Sequence, residues 1–108
     1  MSRKRDIGRI GVGKIEFEWY PPKAQSNLKK HGVSFQEAST VFDDKDLLDL
    51  QDGEHSGEEL RYIGIGRSAS NRILFVNFTE RGERIRIISA RRAEPWERRE
   101  YEITNRNE

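Results

Sequence analysis

Residues 72–92 limit what this chain can become more than any other stretch. Arg72-Ile73-Leu74-Phe75-Val76-Asn77-Phe78-Thr79 is dense in β-branched and aromatic side chains, which suit a pleated, half-buried surface. After it, Ile85 and Ile87 alternate with Arg84 and Arg86, the period-2 mark of a strand with two unlike faces. Gly82 lies between the two runs and can take the positive φ of a tight turn. With Arg81-Gly82 at the tip, Phe78 faces Ile85 and Val76 faces Ile87 on an apolar side. Thr79 faces Arg84, Asn77 faces Arg86 and Phe75 faces Ile88 on the other. One side reads as core. The other carries guanidinium groups on a rigid platform, either as a solvated face or as a recognition surface.

A chain of 108 residues supports one domain with one core. It has no cysteine, which excludes disulfides, thiolate metal sites and cysteine nucleophiles and fits a reducing cytoplasm. No apolar run is long enough to span a bilayer, and the basic start lacks the apolar segment of a signal peptide. The net charge of +1 conceals a segregation. Residues 43–59 hold Asp43, Asp44, Asp46, Asp49, Asp52, Glu54, Glu58 and Glu59 against Lys45 alone, whereas residues 61–99 hold ten arginines and no lysine. Arginine in preference to lysine points to forked recognition of phosphate or carboxylate. The pattern suits a polyanion on one surface and a basic partner on another, or pairing of the two halves with each other.

In chain order, residues 1–13 form a basic, glycine-punctuated arm expected to be flexible, 14–104 one domain, and 105–108 a frayed tail. Ile15, Phe17 and Trp19 alternate with Glu16 and Glu18 in a first strand. Pro21-Pro22 open a helix that Gly32 closes, with Ala24, Leu28 and His31 on one face. Ser34 and Glu37 form a capping box for a second helix, whose stripe is Phe35, Ala38, Val41 and Phe42. Both helices are expected to pack on the first strand. Strands follow at 47–50 and 60–67, then the hairpin, then a helix over 95–103 with Pro95 in its first turn. The order is β-α-α, an antiparallel run of strands, and a C-terminal helix: an α+β domain.

The chain lacks a glycine-rich phosphate loop and a His-Glu-x-x-His motif, and its histidines are His31 and His55 alone. Asp52, Glu54, His55 and Glu58 have no repeatable ligand spacing, so an exposed loop is the default there and no metal or other cofactor is expected. At a helix end, His31 more commonly caps carbonyls than catalyses. Strand arginines, a few carboxylates, one histidine and a C-terminal tyrosine nevertheless suffice for metal-free RNA cleavage. There the 2′-hydroxyl of the RNA is the nucleophile, and the protein positions the phosphate, neutralises growing charge and moves protons.

Glu18-Trp19…Pro22-Lys23-Ala24…Asn27-Leu28-x-Lys30-His31-Gly32-Val33-Ser34-Phe35-x-Glu37-Ala38, then Val41-Phe42-Asp43-Asp44, resembles the N-terminal signature of BrnT-type toxins. Glu59-x-Arg61…Ile65-Gly66, Thr79-Glu80-Arg81, Ile85-Arg86-Ile87-Ile88-Ser89-Ala90-Arg91-x-Ala93 and Glu97-Arg98…Tyr101 are similar to the rest. Tyr20 stands where the family usually has aspartate, and Glu94-Pro95-Trp96 replaces a more polar helix start. The resemblance implies a RelE-like fold and a cytoplasmic, metal-independent endoribonuclease toxin that cleaves mRNA and inhibits translation. It implies a BrnA-like ribbon-helix-helix antitoxin as partner, with operator DNA met through that antitoxin, and exposed strand edges are compatible with a toxin dimer in the complex. Carried over by position, it implies Arg61, Arg81, Arg86 and Arg91 as catalytic, with Lys30, His31, Glu80 and Tyr101 as further candidates. His31 or Glu80 is expected to move the proton, and Arg67, Arg84 and Arg92 join Lys30 and Tyr101 as expected RNA contacts. Two other readings stay open: a non-catalytic module that grips nucleic acid or protein, and a toxin of the same fold acting on a topoisomerase.

Overall fold

The alternating stretch at 15–19 forms a short strand, β1 (Glu16–Glu18). Helix α1 (Pro21–His31) begins with both prolines in its first turn, where their missing N–H groups leave no bond unmade. It ends as Gly32 turns to φ 71° and donates its N–H to the Leu28 carbonyl at 2.8 Å. Helix α2 (Phe35–Ser39) starts where the Ser34 hydroxyl accepts the Glu37 N–H at 2.9 Å, and a 3-10 turn at Thr40–Asp43 continues it. Four strands follow, β2 (Leu48–Asp52), β3 (Arg61–Arg67), β4 (Ile73–Arg81) and β5 (Arg84–Arg92), and then helix α3 (Pro95–Arg106). The computed structural model describes residues 15–53 and 59–106. The basic arm at 1–13, residues 107–108 of the tail, and Glu54, His55 and Glu58 lie outside the described residues.

The strands form one sheet in the order β1-β5-β4-β3-β2, antiparallel except that β1 runs parallel to β5. Helices α1 and α2 cover one face. There Val33, Phe35, Ala38, Val41 and Phe42 meet Leu74, Val76, Phe78, Ile85, Ile87 and Ala90, with the Phe42 ring edge-on to Phe78 at 4.9 Å. Helix α3 packs on one end of the opposite face, where Tyr101 joins Leu48 and Ile65. The rest of that face is left uncovered by α3.

Four expectations are corrected. The hairpin turns one residue later, at Gly82-Glu83, so Phe78 pairs with Ile87 and Thr79 with Arg86. Gly82, at φ 62°, supplies the left-handed conformation of the turn. Up to Ile87 this shift of two in partner keeps each side chain on its expected face. Beyond Phe78 the pairing jumps past Ile88, a bulge that brings Arg91 rather than Ile88 opposite Phe75. On α1, Leu28 is 50% exposed and the buried residue is Asn27. Its amide donates to the carbonyls of Val33 and Ala90 and accepts the Ala90 N–H, which docks the helix on β5 rather than on β1. The carboxylate of Glu37 does not reach back to complete the capping box; it takes Arg72 and the Ser68 hydroxyl instead. Finally, α3 runs on to Arg106, beyond the expected end at 103.

Candidate active site

Strand pairing decides which side chains meet. Glu18 lies beside Arg86, and Arg86 beside Thr79. Arg61 precedes Tyr62, the partner of Phe78, and so falls next to Thr79; on its other side it pairs with Asp52. One line across all five strands therefore reads Glu18, Arg86, Thr79, Arg61, Asp52. Directly opposite residues share a face, and this is the face away from α1 and α2. Arg61 and Arg86 are two strand spacings apart, roughly 10 Å between backbones, a gap that two arginine side chains can close from either side of a phosphate. Thr79 between them is buried and donates its hydroxyl to the Leu60 carbonyl at 2.6 Å. The neighbouring line holds Arg81, Arg84 and Glu16. Glu16, Glu18, Arg81, Glu83 and Arg84 line an open cleft of about 580 Å³.

These arginines are not bare. Arg86 Nη1 donates to Glu18 Oε2 at 3.0 Å, Arg84 Nε to Glu16 Oε1 at 3.1 Å, and Arg81 Nε lies 3.0 Å from Glu59 Oε2. The Arg86 guanidinium holds the Glu18 carboxyl below the usual carboxylate range, so Glu18 is ionised at neutral pH. The side chains of Arg86 and Glu18 are 30% and 26% exposed. Pairs this open to water are weak, so an incoming phosphate can take Glu18's place at Arg86.

Arg91 is held quite differently. Its two terminal nitrogens donate to the two Glu97 oxygens at 2.9 and 2.8 Å, and its guanidinium stacks 4.1 Å from the Phe75 ring centre. Glu97 is 1% exposed and also accepts the Glu94 N–H at 2.8 Å. Removing one partner of a buried pair costs about 3–5 kcal/mol. Arg91 therefore ties α3 to the sheet, and no mobile anion can take its place.

The structure brings Arg61, Arg81, Arg84 and Arg86 onto one stretch of sheet that no described helix covers, with Arg91 on the same face but under α3. It separates the others from them. Lys30 and His31 sit exposed in the last turn of α1, on the helix-covered side. Glu80 pairs with Ile85, whose side chain belongs to the core, so Glu80 also faces that side. Arg92 follows Arg91 and pairs with Leu74. Arg67, at the end of β3, donates Nη1 to Asn71 Oδ1 at 3.0 Å. Tyr101 is buried and donates its hydroxyl to Asp44 Oδ2 at 2.6 Å; burial first, then the Asp44 charge, raises its pKa. Its ring is core, with no surface to offer RNA. Among the described residues no group of three or more potential ligands could hold a metal ion.

Residues 19–97 match the family described as "Ribonuclease toxin, BrnT, of type II toxin-antitoxin system". The chain belongs to the BrnT family of ribonuclease toxins. As a BrnT-family protein it is the toxin half of a type II system, a ribonuclease with an antitoxin partner. In fold this BrnT-family toxin is similar to the Brucella abortus ribonuclease toxin BrnT, known from a 1.1 Å crystal structure. The TM-score is 0.58 at 24% identity, over 75% of this chain and 99% of that one. No curated protein matches by sequence. No helix among the described residues is long and apolar enough to cross a membrane.

Sequence reasoning missed Glu18 and Glu97 as partners of the arginines. Glu18 did carry a signal, because it alternates with the apolar residues of β1 and must face away from them. Which strand β1 joins is a long-range choice, and only that choice puts Glu18 beside Arg86.

Proposed function

We propose that this toxin is a metal-independent endoribonuclease that binds mRNA across the Glu18–Arg86–Thr79–Arg61 line and blocks translation by cutting it. The line itself carries the reading: two guanidinium groups from separate strands flank a buried threonine, with a displaceable carboxylate at one end. A phosphodiester entering between Arg61 and Arg86 exchanges with Glu18 at Arg86. Glu18 then loses the partner that depressed its pKa and becomes a better base beside the 2′-hydroxyl. The 2′-oxygen forms its bond to phosphorus, its proton passes to Glu18, and the 5′-oxygen leaves with a proton from solvent. The products are a 2′,3′-cyclic phosphate and a 5′-hydroxyl end. Arg61 and Arg86 meet the charge that grows on the phosphorane, and Arg81 and Arg84 hold flanking phosphates. His31 and Glu80 are dropped as proton carriers because they face the other side, and Arg91 acts by fixing α3. The antitoxin is read as a BrnA-like ribbon-helix-helix protein that carries the complex, with a toxin dimer in it, to operator DNA.

The test is cleavage of a defined RNA in excess chelator by the wild-type toxin and by Arg86→Ala, with folding checked by circular dichroism. Wild type should cut, and the variant should lose about two to three orders of magnitude in rate, as for the loss of one oxyanion donor. Equal rates, or loss of wild-type cleavage in chelator, would refute the mechanism. The pairing of Arg81, Arg84 and Arg86 with glutamates also favours a second reading, a binding module without chemistry. That reading expects RNA to be held, with salt-sensitive affinity, and recovered intact.

A further inference from the structure

The arginines without carboxylate partners do not lie on the line just described; they gather at the other end of the molecule. Arg92, Arg98 and Arg99 form no ion pair among the described residues. All three line a cleft of about 520 Å³ between the end of β5, the turn at 68–72 and the first turns of α3. Arg67 and Arg72 line it as well, and Glu102 is the one acidic residue among its walls. Pro95, Arg98, Arg99 and Glu102 follow the i, i+3, i+4, i+7 spacing that puts them on one side of α3. The floor is rigid, because Arg72 is clamped by both Glu37 oxygens and donates to the Gly32 carbonyl at 3.1 Å. The rim is exposed and free to adapt.

We infer that this cleft is a second phosphate-binding site, one that grips the backbone of single-stranded RNA away from the point of cleavage. The inference rests on the reading of RNA as substrate given above. Guanidinium forks suit phosphate oxygens, and the walls offer little apolar surface of the kind that anchors a protein partner. Trp96, 57% exposed and three residues before Arg99 on α3, adds a ring on which a base can stack. Along β5, Arg92 is about 20 Å from Arg86 at the rise of a strand, so only a strand of several nucleotides reaches both sites. The cleft thus makes affinity depend on substrate length.

The experiment uses fluorescence anisotropy of the full-length toxin with all-2′-deoxy oligonucleotides, which lack the nucleophile and cannot be cut by 2′-hydroxyl attack. Wild type should bind a long strand far better than a trinucleotide. Arg98→Ala/Arg99→Ala, at exposed helix positions and with its melting temperature checked, should lose about tenfold on the long strand and shed about 1.4 from the slope of log affinity against log salt, at roughly 0.7 per phosphate. Quenching of Trp96 fluorescence by the long strand should diminish in the same variant. Unchanged affinity and slope would overturn the proposal. So would a variant that keeps the oligonucleotide but loses polyglutamate, because the cleft would then be a site for acidic protein. Cleavage does not enter this measurement, so a wild-type toxin that cuts no RNA would sink the nuclease reading and leave the result here standing.

Discussion

Glu97→Gln tests whether Arg91 belongs to the framework or to the chemistry. Glu97 is 1% exposed and takes three donors: two guanidinium N–H groups of Arg91 and the N–H of Glu94. Glutamine keeps the shape and one carbonyl oxygen, but it turns an NH₂ group toward a donor and removes the charge. Breaking a fully buried pair costs about 3–5 kcal/mol. The Arg91 side chain is 31% exposed and can recruit water, which brings the expected loss to about 2–3 kcal/mol. For a domain of this size that is a fall of about 10–20 °C in melting temperature. Urea unfolding should give the same loss in midpoint with the slope unchanged. RNA cleavage measured well below the lowered melting temperature should keep most of its rate, since the proposed catalytic line is elsewhere on the sheet. A variant as stable as wild type but inactive would refute this assignment and return Arg91 to the reacting phosphate.

Asn27→Ala should be nearly as damaging, although it changes no charge. It strands the buried N–H and carbonyl of Ala90 and the carbonyl of Val33, for a loss of about 2–4 kcal/mol in urea unfolding, and a loss under 1 kcal/mol would contradict the docking role given to this amide. Tyr101 has its pKa raised in the folded protein above its ordinary value of 10.0, first by burial and then by Asp44. The unfolded chain therefore releases this proton first, so the stabilisation is complete below pH 10 and fades as pH rises above it. Tyr101→Phe should flatten that alkaline decline in a series of melting temperatures, and an equally steep decline in the variant would show that another group causes it.

Local pattern was enough for the elements and, on β5 as far as Ile87, for which side of the strand faces the helices; beyond the bulge Ala90 rather than Ser89 takes the core side. It was not enough for the partners. Ile85 and Ile87 sit on the core side whether the hairpin turns at Arg81-Gly82 or at Gly82-Glu83, because both registers keep the parity of the strand. The bulge at Ile88 leaves no mark in the composition of β5, yet it alone brings Arg91 over Phe75. On α1 an apolar period points to Leu28 rather than Asn27, whereas the worth of Asn27 comes from Ala90, 63 residues away. The same blindness governs the charges. The segregation of acids and arginines suggested either a polyanion partner or pairing between the two halves. Of the pairs described, only Arg81 with Glu59 joins those halves, while Arg84, Arg86, Arg72 and Arg91 find Glu16, Glu18, Glu37 and Glu97 instead. An arginine's residue type says that it will grip an oxyanion; whether that oxyanion is the chain's own or a phosphate depends on where carboxylates fall after folding. At Arg91 the carboxylate is buried and permanent, at Arg86 it is open to water and exchangeable, and Arg92, Arg98 and Arg99 form no ion pair among the described residues. That gradient is what separates the framework from the proposed cleavage line and the proposed docking cleft, and it exists only in three dimensions.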